Sequence, residues 1–292
     1  MSESLSESLS ESPPVRQPAL GSAGVREQAT QDRAPGAETT SRLPRRRIRA
    51  PLGLAGLVLT VFVWWAGIHG FTEAGSLARA FAPDAALSAL VPLVRDDHLL
   101  LHVLVSLKRV AIGMVWAIVA GVPVGLLVGR FRTIDRMLTP AFQFLRMISP
   151  LSWMPIAVMS LGVGDRSVYF LLAFAAVWPI IMNTASGVTE LDPRWIQLGR
   201  SLAATRFEML VRIYLPGIAA HLLTGLRLAT GILWIVLVPA EMLGVSAGLG
   251  YLILDTRDRL AYSELTATIL VIGVIGFAID ASLRALYQRF VR

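Results

Sequence analysis

Arg227 and Glu241 are the ionisable residues best placed to do chemistry, because both fall inside one apolar run, 218–244. On a helix turning about 100° and rising about 1.5 Å per residue they lie about 21 Å apart along the axis and within about 40° of each other. Thr230, Trp234 and Val238 share that face. Ionised side chains are costly in lipid, so the face is expected to look at protein or water. Glu241 is then either a gate or ion-pair partner at the outer end of a path, with Trp234 as a constriction, or a structural pair or snorkelling group. Arg227, close to the start of its helix, reads as structural. Asp97, His98 and His102 have the residue types of a small metal site, yet at a helix start they read as a cap plus polar surface. Lys108, the single lysine, follows no glycine-rich loop, so the chain carries no phosphate-binding loop of its own. Cysteine is absent, which excludes disulfides and thiolate chemistry, and Asp280 has no evident partner in the sequence. No catalytic residue, metal site or bound cofactor is expected.

The elements that must position these residues are helices in a membrane. Hydrophobic residues make up 54% and charged residues 16%, against about 25% charged in ordinary soluble domains. The apolar residues gather in six runs, 52–69, 104–129, 138–163, 168–188, 218–244 and 265–286. A bilayer core of about 30 Å is crossed by about 20 helical residues. Along the second run Gly113, Ala117, Gly121, Gly125 and Gly129 recur every fourth residue, a groove for close helix approach. Pro150, Pro155, Pro179 and Pro239 each remove a helical hydrogen bond, which marks either a packing kink or an irregular helix lining a path. Trp178 and Asn183, flanking Pro179, therefore join Thr230, Trp234 and Glu241 as candidate path residues.

Arginine placement orients the runs. Arg45, Arg46, Arg47 and Arg49 precede the first; Arg130, Arg132 and Arg136, then Arg194, Arg200, Arg206 and Arg212, then Arg284 and Arg289 fall on the same side. The positive-inside rule places both termini in the cytoplasm. The net charge of +7 is accordingly a topology signal, and no nucleic-acid partner is expected. Residues 1–48, with Ser-Glu-Ser-Leu repeats and few aromatic or β-branched residues, have the composition of a disordered tail before a membrane domain at 49–292.

Between the fourth and fifth runs, 188–217 form a polar loop ending in Ile213-Tyr214-Leu215-Pro216. That loop resembles the signature of ABC-importer permeases, in which Glu-Ala-Ala, a Gly four residues on and Ile-x-Leu-Pro mark the segment that docks on the ATPase. Here Gln197, Leu198 and Gly199 take the place of Glu-Ala-Ala, Ala203 that of the Gly, and Ile213, Leu215 and Pro216 match. Gly225 to Ala229, Trp234, Ala240 to Met242 and Gly248 to Tyr251 are similar to the nitrate, sulfonate and taurine importer group. Ser149 to Pro155 and Trp178 to Thr184 look most like the nitrate and bicarbonate branch.

The resemblance, which covers about residues 80–285, implies an all-α integral membrane protein of six transmembrane helices with the type I importer permease fold, in a bacterial inner membrane. It implies a permease for a small anion such as nitrate, bicarbonate or an organosulfonate. Its partners would be cytoplasmic ABC ATPases that bind ATP and magnesium, an external solute-binding protein, a second permease copy and the lipid bilayer. The coupling loop would be two short helices joined near Ala203, where Ala in place of Gly suggests a tighter helical geometry or a shifted break. Other readings are a permease for an aromatic or heterocyclic solute, a secondary transporter, which would show internal repeats, and a membrane-embedded enzyme, which would show clustered His, Asp or Glu.

Overall fold

The computed structural model describes residues 49–73, 76–95 and 97–290; the tail expected to be disordered lies outside them. Every regular element among the described residues is helical. In chain order they are α1 (Arg49–Phe71), a 3-10 turn (Leu77–Phe81), α2 (Pro83–Arg95), α3 (Leu99–Arg130), α4 (Arg132–Met147), a 3-10 turn (Pro150–Trp153), α5 (Met154–Leu161) and α6 (Asp165–Thr189). Then follow α7 (Pro193–Ser201), α8 (Arg206–Met209), a π turn (Leu210–Tyr214), α9 (Leu215–Gly217), α10 (Ala219–Met242), α11 (Leu249–Asp258) and α12 (Tyr262–Phe290).

Four of the expected spans are single helices long and apolar enough to cross a membrane: α3, α6, α10 and α12. The first, α1, has a shorter apolar stretch, Ala55–Phe71. The expected third span at 138–163 is not one helix. It is a pair, α4 and the segment Pro150–Leu161, bent by 87°. Proline disfavours the helical region for the residue before it, and Ser149 before Pro150 is extended at φ −56° and ψ 130°. The chain can therefore restart a helix only after changing direction. Two further helices, α2 and α11, occupy segments that the apolar runs left as loops.

The centre is the crossing of α3 with α6, and the glycine stripe is what brings them together. A Cβ on Gly121 would stand 2.9 Å from Ile180 Cγ2, and one on Gly125 would stand 2.6 Å from Thr184 Cβ and 2.8 Å from the Ile181 carbonyl. Leu171, Leu172, Ala176, Ile180, Leu233 and Leu237 fill the space where α10 closes over α6. A second apolar cluster at the opposite end from the coupling loop joins α2, α11 and α12 through Ala86, Leu93, Leu249, Leu252 and Ala267. By contrast, Leu57, Val58, Leu59, Phe62 and Val63 of α1 and Val274 and Phe277 of α12 are exposed. Apolar surface of this extent is stable against lipid or a second chain and not against water.

Candidate functional site: a helical clasp and a polar knot

At the arginine-rich end, α7 and α8 form a clasp whose parts are set locally. Asp192 caps α7 by accepting the Arg194 N–H at 2.9 Å, and Pro193 fits the first turn. The helix ends at Ala203, which takes the left-handed conformation at φ 52°. The Ala204 N–H reaches the Gly199 carbonyl at 3.0 Å and the Ala203 N–H reaches that of Arg200 at 3.0 Å, the paired bonds of a Schellman C-cap. The break thus falls at the position where the resemblance puts glycine, neither tightened nor shifted, and alanine adopts the strained conformation instead. Thr205 and Glu208 then start α8 with a reciprocal capping box. The bonds from Thr205 hold the Glu208 carboxyl below the usual glutamate range.

The signature residues divide into clasp and surface. Gly199 is buried, and a Cβ there would strike Met209 and, at 2.5 Å, Ile213 Cδ1. Ile213 of the Ile-x-Leu-Pro end is therefore the side chain that seats on α7. Because Pro216 cannot donate a hydrogen bond, the backbone before it widens, and the Leu215 N–H bonds the Leu210 carbonyl five residues back. Gln197 and Leu198 face outward, and so do Trp195, Leu202 and Phe207. Short helices held from behind by Gly199 thus carry a ring of exposed apolar side chains among arginines.

At the opposite end lies a polar knot. Arg109 is 3% exposed and Glu241 0%. Arg109 Nη1 donates to Glu241 Oε1 at 2.8 Å and to the Ala247 carbonyl at 2.6 Å, while Nη2 donates to Asp165 Oδ1 at 2.6 Å. Ser106 Oγ lies 2.8 Å from each Glu241 oxygen and accepts the Leu249 N–H at 2.8 Å. Glu241 Oε2 accepts the Gly250 N–H at 2.9 Å, and His102 Nδ1 accepts that of Gly248 at 3.0 Å. Three N–H groups at the start of α11 are thereby satisfied, with a carboxylate where the helix dipole favours one. Glycine is required at 248, where φ is +126° and a Cβ would lie 2.5 Å from Arg109 Nη1.

Arg227 and Glu241 do not act as one charged face. Asp280 of α12 pairs with Arg227 at 3.3 Å and with Arg284 one turn on, so the expectation that it has no partner in the sequence is corrected, Arg284 having been within reach at i+4. Thr230 is buried and donates to the Leu226 carbonyl, and Trp234 lies against Gly276 of α12. On α6, Asn183 donates to the Pro179 carbonyl at 2.8 Å. Trp178 is buried against Phe142 and Phe174, and its indole N–H has no acceptor among the described residues. Beside it Gln143 and Arg146 line a small void. Trp178 is thus brought together with α4, Asn183 lies against Gly225 of α10, and Trp234 and Glu241 occupy separate environments. Asp97 pairs with Arg259 at 3.1 Å, and His102 serves the knot. Sequence reasoning missed Ser106, Arg109, Asp165 and Arg146. The signal was present for Arg109 and Arg146, each a cation inside an apolar segment.

Residues 121–292 match the family described as the binding-protein-dependent transport system inner membrane component. The chain is 36% identical over 187 residues to the bicarbonate transport system permease protein CmpB of Synechococcus elongatus, spanning 63% of this chain and 67% of that one. It is 33% identical over 196 residues to the nitrate import permease protein NrtB of Leptolyngbya laminosa, 67% of this chain and 70% of that one. With the taurine transport system permease protein TauC of Escherichia coli it shares 30% over 251 residues, 84% of this chain and 89% of the relative. Its fold superposes on a chain of the inward-facing MetNI methionine ABC transporter with a TM-score of 0.56 at 16% identity, covering 68% of this chain and 99% of that one. The clasp behind Ile-x-Leu-Pro, the bent and unbroken spans and these matches converge: the chain belongs to the binding-protein-dependent transport family, the multi-pass inner-membrane permease subunits of ABC importers.

Proposed function

We propose that this permease imports a small anion of the bicarbonate, nitrate or sulfonate class, and that α7 and α8 are its docking element for cytoplasmic ATPases, which bind ATP and magnesium. The observation that carries the docking reading is the clasp: its apolar ring of Trp195, Leu198, Leu202 and Phe207 is exposed although its rear is packed. An anionic solute is supported by the names of the relatives and by three donors at one place, the free Trp178 N–H, Gln143 and Arg146. An external binding protein delivers the solute, and a second copy of the chain covers exposed apolar faces of the spans. Trp178, Asn183, Thr230, Trp234 and Glu241 contribute to the path when the spans rock, with Glu241 acting as an ion-pair partner.

The test uses the absence of native cysteine. Ser201→Cys retains the C-cap of α7 and is expected to crosslink to the ATPase, whereas Thr205→Cys removes a capping hydroxyl and is the weaker probe. Labelling of the Ser201→Cys thiol by an impermeant reagent added outside intact cells would overturn the docking assignment. Anion choice is checked by uptake in reconstituted transporter supplied with its binding protein; Trp234→Ala and Glu241→Gln should lower uptake per ATP hydrolysed without changing which solute is taken.

A further inference from the structure

A hollow of about 780 Å³ lies at the arginine-rich end between the last turns of α3 and the segment α8 to Tyr214. Pro123, Leu126, Leu127 and Phe131 wall it on one side, Met209 and Leu210 on the other. Arg130, Arg200 and Arg206 line it as well. Among the described residues none of these three arginines has a carboxylate within ion-pair distance. Three guanidiniums around one cavity repel each other and call for an anion. The apolar walls call for something else: a three- or four-atom oxyanion would satisfy the arginines and leave the hydrocarbon surface wet. The position decides between the remaining chemistries, because α3 ends at Arg130, the end that the arginine bias assigns to the cytoplasmic headgroups.

We propose that this hollow binds an anionic phospholipid, with its phosphate held by Arg130, Arg200 and Arg206 and its chains against Leu126, Leu127 and Phe131. Arginine is suited to this because its planar fork grips phosphate oxygens in pairs. The bound lipid ties α3 to α7 and α8, so it steadies the coupling element from the membrane side. Each arginine near an anionic surface is worth about fivefold in affinity, so the three together amount to roughly a hundredfold.

The experiment measures retention of labelled phosphatidylglycerol by the assembled transporter, permease with its ATPases, in neutral detergent. Wild type should retain it through washing and should yield it to unlabelled phosphatidylglycerol, but not to phosphatidylcholine or to soluble glycerol phosphate. Arg130→Gln/Arg200→Gln/Arg206→Gln should weaken retention roughly a hundredfold, and Arg132→Gln/Arg194→Gln/Arg212→Gln, which alters the same number of arginines outside the hollow, by less than about threefold. Equal competition by glycerol phosphate would show a free-anion site instead. Retention by the isolated permease but not by the assembled transporter would show that the ATPase fills the hollow, and this too overturns the proposal. The competition on wild type needs no variant, so poor folding of the triple variant leaves the answer intact.

Discussion

Arg109 is the one buried arginine among the described residues, and it pairs with both Asp165 and the fully buried Glu241. Removing one partner of a buried charge group costs about 3–5 kcal/mol, because the survivors lose solvent as well as their counterion. Arg109→Gln should therefore unfold at markedly lower temperature in detergent, whereas Glu241→Gln, which keeps the shape and the Ser106 contact, should be milder; equal melting of the two would contradict this ranking. At Ala203 the expected sign is opposite. A non-glycine residue at φ 52° is strained, so Ala203→Gly should stabilise the clasp by about 0.5–1 kcal/mol, read as slower hydrogen exchange in residues 199–208. The two sites also show what a sequence reveals of single residues. Glu241 stood out because a carboxylate in an apolar run needs an explanation. Arg109 carried the same signal, but nothing local paired the two, because they lie 132 residues apart and no helical periodicity links different helices.

The two short helices are stable as elements because α7 and α8 lean on each other, and Gly199 is the point of contact. Gly199→Val would push Met209 and Ile213 off α7, so the prediction is loss of ATPase binding in pull-downs while membrane insertion persists. The capping box of α8 adds a pH response. The Glu208 carboxyl titrates below its ordinary value in the folded state, so its contribution is present above the usual glutamate range and fades as pH falls through the lowered value. Glu208→Gln should abolish that acid-side loosening in hydrogen exchange of α8; its persistence would assign the response to another group. Turn chemistry of this kind was readable: Asp192 before Pro193 and Thr205 three residues before Glu208 are local signals. The bend after α4 was only half readable. Pro150 and Pro155 announced an irregular helix, but not the 87° angle between α4 and the segment Pro150–Leu161. Likewise α2 and α11 are short, and periodicity in so few residues does not separate a helix from a loop.

For the whole molecule, the bilayer dictated most of the architecture before any contact was known, because long apolar runs have few folded solutions in lipid. Deleting residues 2–40 while keeping Arg45 to Arg49 should leave insertion and transport nearly unchanged, since orientation resides in the arginines flanking the spans. Insertion assays and uptake would measure it, and lost uptake with normal insertion would make the tail regulatory. The polar knot has a mechanical corollary. By tying α10 and α11 at one end to the α3–α6 pair, it is expected to make that end a pivot and the arginine-rich end the tip of a lever. Arg130 lies about 36 Å along α3 from Ser106 in the knot, so a swing of only about 5° displaces that far end by about 3 Å. Small closures of the ATPases are thus magnified with distance from the knot, and spin labels near Ser201 should move several times farther than labels near Tyr251 during turnover.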